Sequence, residues 1–215
     1  MAARLTGRSA VVLAGPMSPE RLSVIETYCR SATPYRAIAI RHCAPDKASG
    51  RVDADRLVAM TDDETAAIYF ENPNYLGLFE TAAEDIAAIA RKAGALTIAG
   101  VDPLSLGIAA SPAALGADLV VGSLQPLGVH MHGGGGVGGF IASRHEERFA
   151  REYPTFLVSA APTVVEGETG FGLSLFHQTS YGMRDEGKDW TGNSTYLWTI
   201  AAAAYMALLG PDGFV

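Results

Sequence analysis

The sequence contains very little lysine. Lysine occurs only at positions 47, 92 and 188 of the 215 residues. Lys47 and Lys188 lie in polar segments typical of loops, and Lys92 lies on the outer face of a predicted helix. Lysine is the only residue whose side chain carries a primary amine that can form a Schiff base. Because none of the three is predicted to follow a late strand, the chain has no well-placed residue for covalent binding of a carbonyl compound.

Cysteine and clustered positive charge are also scarce. The only cysteines are Cys29 and Cys43, and no secretory signal peptide precedes them, which is typical of reduced thiols in the cytoplasm. The formal net charge is −7 and no run of Lys or Arg exceeds two residues, which argues against nucleic acid and anionic membranes as partners. The most apolar segment, TIAAAAYMALLG, is shorter than the roughly 20 residues of a transmembrane helix. We therefore predict a cytoplasmic location.

Short apolar segments alternate with amphipathic ones along most of the chain. SAVVLAG, TAAIYFE, ALTIAGV, DLVVGS and GGFIAS are typical of strands, whereas SPERLSVIETYC and ETAAEDIAAIARKAG show the apolar spacing of helices. Ser18 is a predicted N-cap, and Gly94 is predicted to end a helix. Apolar strands that alternate with helices predict an α/β fold with a mostly parallel sheet of about six strands, flanked by helices. We predict a single α/β domain over residues 1–215.

Other segments give weaker patterns. SPAALGAD is interpreted as a short helix and SRHEERFAREYP as a charged helix. A loop-rich region is expected from Thr155 to Gly192, followed by a final apolar helix from Asn193 to Leu209. Apolar residues occupy most of the circumference of this last helix, so it must be buried from several sides or leave an exposed apolar patch. We expect the patch, and therefore an oligomer, since the chain is expected to be a fragment of a longer subunit.

Polar residues follow three predicted strands, where ligands of open α/β sheets bind. They are Glu71-Asn72-Pro73-Asn74, Asp102-Pro103, and the segment that runs from Ser123 into four glycines. Asn74 belongs either to a simple turn or to a loop that faces a ligand. Asp102 is either a cap for the next segment or the partner of a protonated cofactor ring nitrogen.

The stretch QPLGVHMHGGGGVGGF has several possible interpretations. His130 and His132 would share one face of a strand and could bind one metal ion, but no further ligand lies near in sequence, so we predict no metal site. A phosphate-binding loop requires a lysine after the glycines, or a helix that begins there, and neither is predicted. A tight passage of backbone that tolerates no side chain is the simpler interpretation.

Four motifs, ENPNYLGLFE, VDPLSLGI, GADLVVGSLQPLGV with the following glycines, and ALLGPDGF, together resemble a known family. They resemble the first subunit of glycine dehydrogenase (decarboxylating), the P-protein of the glycine cleavage system, in its form split over two chains. The resemblance covers nearly all of this chain but only the middle part of a typical subunit. It implies the large domain of fold type I pyridoxal-phosphate enzymes, here as the core of a longer subunit.

The resemblance also has consequences for the cofactor. In the sister subunit, a His-Lys pair precedes a His-Gly-Gly-Gly-Gly run, and that lysine makes the Schiff base. Counting back by the same interval from His132 reaches Pro126, in Gln125-Pro126. The resemblance therefore implies that this chain has no catalytic residue of its own and binds no cofactor covalently. It further implies that the lysine-bearing second subunit holds pyridoxal phosphate, and that Asp102, Asn74 and His132 line a degenerate cofactor site.

Three functions are compared. As a P-protein subunit, the chain would belong to a hetero-oligomer that decarboxylates glycine and passes the aminomethyl group to the lipoyl H-protein. Alternatively, the chain is a non-catalytic scaffold or binding module with a degenerate pyridoxal-phosphate fold. The third alternative is an independent enzyme that uses His130 or His132 as a base. The resemblance favours the first.

Overall fold

The computed structural model describes residues 1–30, 37–131, 137–153, 157–174 and 196–215. The chain divides into two compact units, one formed by Ala2–Arg144 with Ser194–Val215 and the other by His145–Asn193 with Met1. The single domain over residues 1–215 stays a prediction. In the described ranges, every helix is too short or too polar to cross a lipid bilayer.

The first unit is built on a six-stranded sheet with the strand order β2-β1-β3-β4-β5-β6. The strands are β1 (Ala10–Ala14), β2 (Ala39–Cys43), β3 (Thr65–Glu71), β4 (Leu96–Val101), β5 (Leu119–Ser123) and β6 (Gly139–Ser143). All neighbouring pairs are parallel except β5 and β6, which are antiparallel. The predicted mostly parallel α/β sheet is confirmed.

The helices of this unit precede, connect or follow its strands. They are α1 (Ala2–Thr6), α2 (Pro19–Arg30), α3 (Ala54–Met60), α4 (Ala83–Ala93) and, after the second unit, α6 (Tyr196–Leu209). The predicted cap of α2 is confirmed, since the Ser18 hydroxyl oxygen accepts a hydrogen bond from the Arg21 backbone N–H. The predicted end of α4 at Gly94 is confirmed as well, and this residue has the left-handed conformation typical of helix ends.

The main core lies between one face of the sheet and helices α3 and α4. Its members are apolar side chains from alternate strand positions and from the inner helix faces, among them Val12, Leu57, Ile68, Phe70, Ile86 and Ala90. All seven residues of β3 are buried because this strand has neighbours on both sides. This burial explains why the segment TAAIYF is continuously apolar.

Helix α6 packs on the segment that follows β5. Ala202, Trp198 and Tyr205 of the helix belong to one apolar cluster with Leu127 and Val129. The opposite side of the helix is exposed, as Ile200 and Leu208 show with 66% and 88% of their surface accessible. The expected exposed apolar surface of the last helix is therefore confirmed, whereas self-association through it stays a prediction.

The second unit differs from its prediction. It contains α5 (Glu147–Ala150) and a hairpin of β7 (Leu157–Pro162) and β8 (Thr169–Ser174) where a longer charged helix and a loop-rich region were predicted. β7 is almost entirely exposed, so no buried face imposes the alternation of apolar and polar residues that identifies a strand. In the first unit, SPAALGAD forms turns rather than a helix. The segment is too short to offset the cost of helix nucleation.

Candidate functional site at the carboxyl edge of the sheet

The carboxyl ends of β3, β4 and β5 meet at one edge of the sheet. Glu71 pairs with Gly100 and Val101 pairs with Gly122, and the Asn72 N–H continues the ladder by donating to the Gly100 carbonyl at 2.8 Å. This register brings Asn74 and Asp102 to the same edge, as predicted. The four glycines that end the third predicted segment, residues 133–136, are outside the described residues.

Asp102 begins the 3-10 helix Pro103–Gly107. Its side chain accepts a hydrogen bond from the Leu104 N–H at 3.0 Å, and the Ser105 hydroxyl donates to its backbone carbonyl at 2.7 Å. Asp102 is exposed, so its carboxylate keeps contact with water and needs no cationic partner within the chain. Capping explains its place in this structure, and its role beside a cofactor stays a prediction.

Asn74 holds the loop that follows β3. Its side-chain oxygen accepts hydrogen bonds from the Leu76 and Leu78 N–H groups, and its side-chain amide donates to the Gly50 carbonyl at 3.0 Å. With 7% of its surface accessible, the residue is buried. These bonds give Asn74 a structural role within the loop. Its role as a cofactor ligand stays a prediction.

A tight turn that contains Gln125 and Pro126 follows β5. The Gln125 N–H donates to the Ser123 hydroxyl at 3.1 Å, and the Leu127 N–H donates to the Leu124 carbonyl at 2.9 Å. Pro126 occupies this turn, and the buried side-chain oxygen of Gln125 has no hydrogen-bond donor among the described residues. His132 lies outside the described residues. The described part of this segment therefore offers an unpaired amide oxygen but no amine.

The two described lysines lie far from this turn in the topology. Lys47 is exposed in a turn after β2, which is the strand at the opposite end of the sheet. Lys92 is in the last turn of α4, which leads into the amino end of β4 and thus to the other edge. Lys188 lies outside the described residues. The described residues at the end of β5 therefore do not fit covalent attachment of an aldehyde cofactor.

An ion pair with a buried carboxylate lies near this edge and was not predicted. Glu71 has only 6% of its surface accessible, and its carboxylate accepts hydrogen bonds from the Arg21 guanidinium at 2.5 Å and from the Tyr69 hydroxyl at 3.1 Å. Gly100 makes room for this arrangement, because a Cβ atom there would lie 2.2 Å from the Tyr69 hydroxyl oxygen. A charged residue at the end of an otherwise apolar strand was the available sequence signal for Glu71, but no signal indicated Arg21.

A cavity of about 710 Å³ adjoins this ion pair on the sheet face opposite the main core. Arg21 and Tyr69 form its polar wall, and Leu13, Ile98 and Val121 form part of its apolar wall. Burial, followed by the charge of Glu71, raises the pKa of the Tyr69 hydroxyl above its ordinary value. Tyr69 is therefore a neutral hydrogen-bond donor in the folded chain.

The raised pKa of Tyr69 predicts a loss of stability in alkaline solution. In the unfolded chain Tyr69 ionises near pH 10, whereas in the folded chain it keeps its proton to higher pH. Stability is thus fully present below about pH 10 and falls as the pH rises further. We expect the free energy of unfolding of Tyr69→Phe to fall less steeply above pH 10, by up to about 1.4 kcal/mol per pH unit.

The measurement is urea unfolding of the parent chain and the variant between pH 7 and pH 11.5. At pH 7, Tyr69→Phe is expected to lose about 1 kcal/mol because the donor to Glu71 is removed. Tyr28→Phe is the matched control, since Tyr28 is exposed and its hydroxyl contributes nothing to this network. Equal alkaline slopes for all three proteins would contradict the prediction.

Comparison with known proteins relates this geometry to a family. Residues 1–215 match the family described as the glycine cleavage system P-protein. The chain is 37% identical over 214 residues to the probable glycine dehydrogenase (decarboxylating) subunit 1 of Anaeromyxobacter dehalogenans, covering 99% of this chain and 46% of the relative. The corresponding protein of Sulfolobus acidocaldarius is 32% identical over 213 residues, with the same coverage. The chain thus spans about half the length of the curated relatives it matches.

Solved structures support the same fold. A crystal structure of glycine decarboxylase (P-protein) of the glycine cleavage system, in inhibitor-bound form, superposes with a TM-score of 0.83 and 34% sequence identity. The superposition covers 99% of this chain and 46% of that protein. A sphingosine-1-phosphate lyase from Burkholderia pseudomallei has a TM-score of 0.60 but 16% identity, and this likeness concerns the fold alone.

Proposed function

We propose that this chain is part of the first subunit of a glycine dehydrogenase (decarboxylating). The basis of this proposal is that the chain belongs to the glycine cleavage system P-protein family. Its relatives over almost the whole chain carry that description. The complex would decarboxylate glycine and transfer the aminomethyl group to the lipoyl H-protein, in the cytoplasm. Residues 1–215 would form the large-domain core of a longer subunit.

The turn Ser123–Leu127 at the end of β5 is the observation that supports placing the cofactor on a different subunit. It contains Gln125 and Pro126 but no amine, and the two described lysines lie elsewhere. Bound pyridoxal phosphate acts as an electron sink for the bond-breaking step. Since the described residues of this chain do not fit its covalent attachment, we assign the cofactor to a lysine-bearing second subunit.

The role of this chain would be to form the interface beside the active site of that partner. The parallel strands bring Asp102 and Asn74 to the carboxyl edge, and we propose Asp102, Asn74 and His132 as residues of a degenerate cofactor site. Asp102 is the strongest of these candidates because its carboxylate is exposed. The inward hydrogen bonds of Asn74 favour a supporting role for that residue.

Reconstitution of the complex tests this function. We expect exchange of radiolabelled bicarbonate into glycine, in the presence of lipoylated H-protein, to be at least about tenfold faster with both subunits than the sum of the separate rates. The reason is that an active site bordered by two subunits is complete only when both are present. The measurement is the initial exchange rate at fixed concentration of the lysine-bearing subunit and increasing concentration of this chain.

Two outcomes would contradict the proposal. A complex that gains thermal stability without any gain in exchange rate would identify the chain as a non-catalytic scaffold. Glycine-dependent activity of this chain alone would identify an independent enzyme. Bovine serum albumin at equal concentration controls for non-specific protein stabilisation.

A further inference from the structure

Apolar side chains cover the sheet face opposite the main core as well. Val12 points into the main core, whereas Val11 and Leu13 line the cavity of about 710 Å³ on the other face, because successive side chains of a strand alternate. The floor of this cavity comes from the four neighbouring strands β1, β3, β4 and β5. Its side chains are Val11, Leu13, Tyr69, Ile98 and Val121. Apart from the Tyr69 hydroxyl, the floor is therefore apolar.

The floor is only partly covered. Strands β1, β4 and β5 each have a neighbour on both sides, yet Val11, Ile98 and Val121 remain partly exposed. Central strands of parallel sheets normally have both faces covered. The volume of the cavity is within the range of about 300–1,000 Å³ that is typical of small-molecule sites. The cavity is therefore large enough for a compact ligand.

One face of helix α2 forms a wall of this cavity. Arg21, Val24 and Ile25 all line it, and their spacing of three and four positions places them on one face of the helix. Among the described residues that line the cavity, Arg21 is the only one with a charged side chain. An apolar cavity with one charged group at its wall selects a ligand with one polar end.

Arg21 has hydrogen-bond donors to spare. A guanidinium carries five N–H groups, and Nη1 alone makes the bonds to Glu71 and Tyr69. The Nε and Nη2 groups have no acceptor among the described residues. Half of the Arg21 side chain is exposed, so this second edge of the guanidinium is accessible to a ligand.

The free edge of the guanidinium determines the chemistry of the polar end. Its Nε–H and Nη2–H groups are parallel donors that match the two oxygens of a carboxylate. Glu71 already balances part of the Arg21 charge, which favours the single charge of a carboxylate over the double charge of a phosphate. The rest of the ligand must be apolar, because a further polar group on the floor would lose water without gaining a partner.

We propose that this cavity is a binding site for a small carboxylic acid with an apolar body, and that Arg21 binds its carboxylate. The apolar body lies against Leu13, Ile98 and Val121. The site is separate from the degenerate cofactor site, since neither Asp102 nor Asn74 lines the cavity. The inference goes beyond the function proposed above and does not depend on it. Glycine has no apolar body and is not expected to bind here.

NMR titration of the methyl-labelled chain with 3-phenylpropionate tests the site. We expect the methyl signals of Leu13, Ile98 and Val121 to shift, whereas those of Leu57 and Ile86 in the main core stay unchanged. The uncharged control is 3-phenylpropanamide, which has the same apolar body. Its Kd is expected to be at least about fivefold higher, because a hydrogen bond to a charged acceptor is stronger. Glycine at the same concentrations is the second control.

Charge substitutions at Val24 test the role of Arg21 without removing its ion pair. Val24→Glu is expected to raise the Kd for 3-phenylpropionate about threefold or more, and Val24→Lys is expected to lower it by a similar factor. Both effects should shrink in about 1 M salt. Val58 is the matched control position, since it is 56% accessible against 55% for Val24 and lies on α3, which packs on the other face of the sheet.

Arg21→Met supplies a further test, since it is expected to remove the preference for the carboxylate over the amide. Urea unfolding verifies that each variant is folded. Equal Kd values for the carboxylate and the amide, or the same Kd in both Val24 variants, would overturn the assignment of Arg21. No methyl shifts with up to about 10 mM 3-phenylpropionate would overturn the site itself.

The same titration of the longer subunit covers the remaining alternative. Binding that is retained there supports the site. Loss of binding in the longer subunit would mean that a segment outside residues 1–215 fills the cavity, and the inference would be wrong. None of these results depends on glycine–bicarbonate exchange, so failure of the site leaves the proposed function standing.

Discussion

Replacement of Arg21 by methionine is expected to lower the free energy of unfolding by about 2–3 kcal/mol. Removing one partner of a buried ion pair typically costs about 3–5 kcal/mol, because the other charge is left without compensation. We expect a smaller loss here, since the Arg21 side chain is half exposed and Glu71 keeps its hydrogen bond from Tyr69. The remaining cost is still a large fraction of the stability of a domain.

The same helix provides the control. Arg30 pairs with Glu26 one turn earlier on α2, but the Arg30 side chain is 78% accessible. Exposed pairs of this type contribute only about 0.3–0.5 kcal/mol, so Arg30→Met is expected to be nearly neutral. Methionine and arginine have similar helix propensity, and the comparison therefore isolates the burial of the partner carboxylate.

Urea unfolding at pH 7 measures both effects. The double variant Arg21→Met with Glu71→Gln supplies a further test, since it removes the buried charge together with its partner. We expect the double variant to recover part of the stability that Arg21→Met alone loses. Equal destabilisation by Arg21→Met and Arg30→Met would show that Glu71 does not depend on Arg21.

Incubation with pyridoxal phosphate and reduction with borohydride are expected to leave this chain without a stoichiometric pyridoxyl-lysine. A Schiff base forms between a primary amine and the cofactor aldehyde. An active-site lysine reacts more readily than a surface lysine because the fold holds its amine next to the bound aldehyde. Pro126 occupies the turn at the end of β5, which contains no lysine, and exposed Lys47 and Lys92 lie away from that turn. Their reaction would be that of any surface lysine.

Peptide mapping by mass spectrometry measures the labelling, and absorbance before reduction detects an aldimine. The lysine-bearing subunit, treated in parallel, is the positive control and is expected to be labelled at a single residue. Stoichiometric modification of Lys47, Lys92 or Lys188, accompanied by the absorbance band of an aldimine, would overturn the prediction. It would also reassign the cofactor to this chain.

Local patterns were sufficient to predict most of the parallel sheet. β3 and β4 were recognisable because most of their buried positions are apolar, and the start of α2 and the end of α4 were recognisable from Ser18 and Gly94. The positions of Asp102 and Asn74 followed from the same pattern, because parallel strands place their carboxyl ends at one edge. The hairpin of β7 and β8 was missed because exposed strands leave no comparable pattern.

The scarcity of amines is a property of the covalent chain. The turn at Gln125-Pro126 contains no primary amine in any fold, so the absence of a lysine within that turn was readable from the sequence. The uncharged character of residues 72–79 and 103–117 has the same origin, since it follows from residue identities in two continuous segments. Both properties depend on which residues are present and not on how the chain is folded.

Contacts between distant residues depended on the fold. Arg21 and Glu71 are 50 positions apart, and their pairing requires α2 to lie beside the end of β3. The identity of Asn74 does not specify whether its side chain faces a ligand or the protein. In the folded loop, its amide donates to the carbonyl of Gly50, 24 positions earlier. An isolated segment around Arg21 or Asn74 lacks the distant partner of that residue. The sequence therefore specifies which groups are available for bonding, while packing of the chain determines which of these groups meet.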